Sequence, residues 1–165
     1  MKNVAISLLS LCVMGVASGE TLKVNVDKGE LRLSFDANLN TEKFSYSKKP
    51  GCDSEVTLSK KAQTMTLDHV NPNKCPSGAT LNLSLPLKSD VEISHGGGMI
   101  VVKDSSALLD QVSRLEANTL GGMIETSDSR LVITSQYGPA AASFVTKHEA
   151  PRVFIKLTGG LISFR

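Results

Sequence analysis

Any chemistry in this chain would begin with three histidines, two aligned glutamates and a cysteine pair. His69, His95 and His148 are isolated, with neither H-x-x-x-H nor H-E-x-x-H spacing, so only the fold could assemble a metal site from them. His95 stands beside Gly96-Gly97-Gly98. A glycine-rich turn would leave its imidazole accessible, and the expected place is the polar, solvent-facing side of its strand. Glu92 and Glu116 hold the same place in two similar segments. Carboxylates stacked on adjacent coils could bind a cation or act on a sugar, although solvated glutamates are ordinary on the polar face of a strand. There is no G-x-S-x-G nucleophile elbow, and no G-K-[ST] follows the triple glycine, so a serine hydrolase and a phosphate cradle are not indicated. These residues imply no cofactor, no metal and no catalytic set.

Met1 to Gly19 reads as a secretory leader. Lys2 supplies a positive start, Val4 to Val16 an apolar stretch, and Ala17-Ser18-Gly19 a small-residue cleavage site. Leu11 before Cys12 does not suit a lipoprotein signal, which needs a small residue there. The expected organisation is a signal peptide over 1–19 and one β domain over 20–165. The mature chain would keep Cys52 and Cys75, an even count that reads as a disulfide in an exported protein. Closing that loop would stabilise the fold by roughly 3 kcal/mol in the chain-entropy account.

Lys and Arg number 18 against 16 Asp and Glu, so nothing electrostatic points to nucleic acid. Trp is absent and the chain holds only five Phe and two Tyr, which leaves few platforms for stacking on sugars or bases. No later apolar run is long enough for a transmembrane segment after signal cleavage.

The element that must position these groups is a strand-turn-strand unit with glycine in eighth place. It recurs as LKVNVDKGELRL from Leu22, VEISHGGGMIVV from Val91, LEANTLGGMIET from Leu115, LVITSQYGPAAA from Leu131 and VFIKLTGGLISF from Val153. The glycines are Gly29, Gly98, Gly122, Gly138 and Gly160. Apolar residues fill the first and third places before the turn and the tenth after it, so parity shifts by one across the glycine. Such a shift keeps apolar side chains pointing inward when a strand bends at a corner.

Elsewhere the alternation of Phe44 and Tyr46, of Val56 and Leu58 against Met65 and Leu67, and of Leu81 to Leu87 also predicts strands. The second of these sets reads as a hairpin whose open end the cysteines would close. Leu108, Val112 and Leu115 are spaced for a helical turn, with Ser105 or Ser106 as cap. The expected fold is all-β, a short β-helix or solenoid in a single domain. The alternative is an antiparallel β-sandwich in which the glycine stretches are tight hairpins.

The stretch LNLSLPLKSDVEISHGGGMIVV, followed by further G-x-I turns, resembles the bacterial DUF4097 family, regarded as adhesin-like. The resemblance spans about Leu81 to Phe164 and, more weakly, Leu22 to Leu33. It implies a short β-helix-like domain and no transferable catalytic residues. The cysteine pair has no counterpart in it, and Gly138-Pro139 with three alanines departs from it.

The functional expectation is an exported, non-catalytic interaction, scaffold or adhesin-like module, in the periplasm or on the surface of a Gram-negative cell, with a protein or cell-surface partner. Two alternatives stand beside it: a small polysaccharide-active or cation-binding solenoid using Glu92 and Glu116, and a periplasmic lipid carrier whose inner apolar face lines an open groove.

Overall fold

Period-two alternation makes each half of the unit a strand, and in four of the five units the glycine joins the halves without letting them pair with each other. The computed structural model describes residues 11–12, 21–36, 38–40, 42–47, 54–61, 64–70, 79–87, 90–146 and 151–165. In chain order the strands begin with β1 (Leu11–Cys12), β2 (Thr21–Val26), β3 (Gly29–Phe35), β4 (Lys43–Ser47), β5 (Glu55–Lys61) and β6 (Thr64–Val70). Then come β7 (Ala79–Leu85), β8 (Asp90–His95), β9 (Gly98–Val102) and the short helix α1 (Ser105–Leu109). The chain ends with β10 (Arg114–Thr126), β11 (Val132–Ser135), β12 (Tyr137–Gly138), β13 (Ala141–Val145) and β14 (Arg152–Phe164). The protein is all-β, and among the described residues its strands form one sheet of 14, nearly closed into a barrel-like shape.

Four units stack as parallel, in-register rungs. Before the corner the order is β6, β2, β8, β14, β10; after it the order is β7, β3, β9, β14, β10. Gly29 pairs with Gly98, Gly98 with Gly160, and Gly160 with Gly122. Inside the bend lie Leu22, Val24, Val91, Ile93, Leu115, Val153 and Ile155 from one wall, with Leu31, Leu33, Ile100, Ile124 and Ile162 from the other, all buried. In these four units the glycine stretches are therefore corners rather than hairpins, and the interior is filled by side chains rather than open as a lipid groove.

Two expectations are corrected here. The rungs do not follow one another in sequence: β14 lies between β8 and β10, and β2 lies between β6 and β8. The copy from Leu131 is not a rung. Its β11, β12 and β13 run antiparallel, with β12 and β13 on β10 and β11 on β13. A fifth rung comes instead from β6 and β7, where Ala79 takes the glycine position opposite Gly29.

The glycine row follows from close backbone approach. A Cβ built on Gly122 would meet the carbonyl oxygen of Gly160; on Gly160, that of Gly98; on Gly98, that of Gly29; on Gly29, that of Ala79. All four fall below 3.0 Å, closer than real Cβ atoms come. Ala79 ends this series: the next strand beyond β7 is β4, which runs antiparallel and pairs with Thr80 to Ser84. Gly98 also has φ +125, a conformation open essentially to glycine alone.

The predicted hairpin is present as antiparallel β5 and β6, with Leu58 opposite Leu67. Cys52, Cys75 and His148 lie outside the described residues, as does most of the expected leader. Pro86 follows the end of β7, where a missing N–H does no harm to the ladder. The helical turn is shorter than the spacing predicts. No serine side chain caps it: Asp104, in left-handed conformation at φ 52, begins it without a side-chain hydrogen bond.

Candidate functional sites

Register converts the strands into rows of side chains on the outer face of the pre-corner wall, because alternate residues point to opposite faces. One row runs Lys23, Glu92, Phe154, Glu116, Ser143, Val132. The row nearer the corner runs Asn25, Ser94, Lys156, Asn118, Ala141. A cleft of about 490 Å³ is lined by Glu92, Glu116, Asn118, Leu120, Phe154 and Lys156 among others.

Glu92 and Glu116 are thus on one face but not on adjacent rungs, as the sequence had suggested. Phe154 stands between them, so their Cα atoms are two strand spacings apart, roughly 9.6 Å. Each carboxylate already has a cation: Glu92 meets Lys23 Nζ at 3.1 Å, and Glu116 accepts from Arg114 Nε at 2.6 Å. Phe154 has a cation of its own, with the Arg152 guanidinium 6.0 Å from its ring centroid. Asp90 accepts from Arg152 Nε at 2.9 Å and from its backbone N–H at 2.8 Å. Hydrogen bonds from Arg152 hold the Asp90 carboxyl below the usual carboxylate range.

The same face carries an apolar group that the sequence reading missed. Leu120 is 62 % exposed, Val132 62 % and Val145 68 %. Val145 lies opposite Arg114, and Val132 opposite Ser143, which itself faces Glu116. The signal was available. Phe154 and Val132 occupy the second position of their units, where Glu92 and Glu116 stand in others.

The second site lies inside the corner. His95 is buried rather than on the polar face, because it shares the parity of Val91 and Ile93. His69 is buried too, and the two flank Val26 across β2. Both line a cleft of about 600 Å³ with Asp27, Asp68, Gly96 and Lys156. His95 Nδ1 accepts from the Gly97 N–H at 3.1 Å. His95 Nε2 and both His69 nitrogens find no hydrogen-bond partner among the described residues. The Tyr46 ring lies 6.4 Å from that of His69, tilted by 47°.

Burial pushes His95 down to about 4, aided by the nearby His69 and opposed by the Gly29 backbone and Asp27. Burial lowers His69 as well, against the pull of Asp27. Among the described residues no three His, Cys, Asp or Glu side chains converge as metal ligands.

No family model and no curated protein matches the chain. Among solved structures, a chain described as a "putative cell adhesion protein" from Clostridium sporogenes ATCC 15579 is similar at 14% identity and a TM-score of 0.46. It covers 96% of this chain, and the match covers 98% of that one. No helix among the described residues is long and apolar enough to cross a membrane.

Proposed function

We propose that the protein is a non-catalytic interaction module of the bacterial envelope, adhesin-like in its mode of action and related to the DUF4097 proteins its glycine turns resemble. The observation that carries this reading is that Leu120, Val132 and Val145, all strongly exposed, share one outer face, Val132 and Val145 beside Glu116 and Arg114 and Leu120 farther along β10. Neighbouring exposed apolar side chains rimmed by charge, as Val132 and Val145 are by Arg114 and Glu116, mark surfaces that bind other macromolecules. Beside them β11 pairs only with β13 among the described residues, which leaves an edge able to take a partner strand. Glu92 and Glu116, each already ion-paired and separated by Phe154, serve here as the polar rim rather than as an acid and base.

A photo-crosslinking residue placed at Leu120 or Val132 in cells should give a discrete adduct, and one at Glu30, on the other wall, should not. Equal labelling from both walls would remove this surface from the account. Export is tested separately. Alkylation of the mature protein without reductant, followed by intact-mass measurement, should modify neither Cys52 nor Cys75; two labels would argue against an oxidising compartment.

A further inference from the structure

We propose that His69 and His95 form an acid-sensitive latch on the corner between β2 and β3. The two histidines bracket this corner from the rungs on either side. The backbone oxygen of His69 accepts from the Asp27 N–H at 3.0 Å; the Gly96 N–H, next to His95, donates to Val26 O at 2.8 Å; the Gly29 N–H donates to Gly97 O at 3.1 Å. The latch closes through His95 Nδ1, which accepts from the Gly97 N–H. That bond requires a ring whose proton sits on Nε2.

Protonation makes both ring nitrogens donors, so Nδ1–H would confront Gly97 N–H and the bond would be lost. The His69 ring, with no partner for either nitrogen among the described residues, would acquire a charge in the same cleft. Few groups facing the pair can compensate. The Gly29 backbone favours a charged His95 and Asp27 on the corner favours protonation of both rings, yet burial outweighs them. Asp68 on β6 already accepts from Asn25 Nδ2 at 2.7 Å. Lys156 on β14 lines the cleft with a like charge, and β4 contributes the Tyr46 ring. Opening the corner brings the rings to water, where they can charge.

The sign follows from the lowered pKa values of the folded state. Both rings are neutral in the closed corner, so closure is fully favoured above about 6.5 and is weakened as pH falls from there towards about 4. In that window the His95 imidazole raises the opening equilibrium by up to about tenfold per pH unit, and His69, lowered as well, acts in the same direction.

Hydrogen exchange between pH 7 and 4.5, corrected for the intrinsic rate, reads this directly. The Gly29, Gly96 and Gly97 amides should lose protection before those of Leu33 and Ile124 do. In a His69→Leu/His95→Gln variant, whose glutamine oxygen can still accept from Gly97, the acid dependence should vanish. Unchanged protection in the wild type, a uniform loss at corner and core, or the same slope in the variant would overturn the latch. Should the variant not fold, ring resonances of the wild type decide. Titration of both below 6.5 supports the latch, and titration of either at or above 6.5 overturns it.

Discussion

The rungs and the antiparallel flap of β11 to β13 are written with the same glycine unit, yet they use the glycine differently. Gly98 sits between two rungs with its missing Cβ aimed at the Gly29 carbonyl, at φ +125. Gly138 also has positive φ, +77, but a Cβ there would meet nothing within 4 Å. Parallel stacking at the corner brings backbone against backbone; the flap leaves open space at the equivalent point. A motif glycine is thus costly to replace only where a neighbouring rung closes on it. The two ends of the sheet differ as well. β5 carries Glu55, Lys60 and Lys61 along its length, a charged edge of the kind that discourages pairing, whereas β11 is the uncharged Val132-Ile133-Thr134-Ser135.

The largest effect should come from Gly98→Ala or Gly160→Ala, which combine a backbone collision with a forbidden φ. Either should lower stability by about 3 kcal/mol or more in denaturant titration. A loss under about 1 kcal/mol would show that the rungs can separate without penalty. Next, Ile100→Ala, in the buried stack, should cost roughly 2–5 kcal/mol, and Ile133→Ala, half-buried in the flap, about 1 kcal/mol. Equal costs would remove the distinction between stack and flap. Gly138→Ala should cost only about 1–2 kcal/mol, the ordinary penalty of a left-handed conformation. Gly138→Asn, which tolerates that conformation, should recover part of it in the same titration. The smallest change is expected of Ala79→Gly at the end of the glycine series. It should cost roughly 0.5–1 kcal/mol through chain entropy alone, and a gain in stability would mean that Ala79 is itself crowded.

Much of this architecture was legible locally. Alternation identified β2, β3, β8 and β9, and the parity shift at glycine correctly separated inward from outward residues on both walls. His95 shows where residue type misled. Its parity with Val91 and Ile93 already placed it inside, while its polarity suggested the surface. Parity prevails because the strand stays hydrogen-bonded to its neighbours up to the corner. The outer-face site was only half visible: Glu92 and Glu116 stood out as carboxylates, but Leu120 and Val145 looked like ordinary strand residues. Nothing short-range says that β13 will turn back on β10 and leave them in solvent.

By itself the sequence determined that the chain is all-β, where it bends, and which face of each strand is apolar. These follow from period-two geometry and from the conformations glycine alone permits, both of which are local. Only the tertiary structure decided that the rungs stack out of chain order, that Ala79 can stand where the other rungs need glycine, and that the Leu131 copy becomes a flap. It also decided that His69 and His95 meet across Val26. Each of these depends on which strand lies about 4.8 Å away across the sheet, and that neighbour is chosen by packing between segments far apart in the chain.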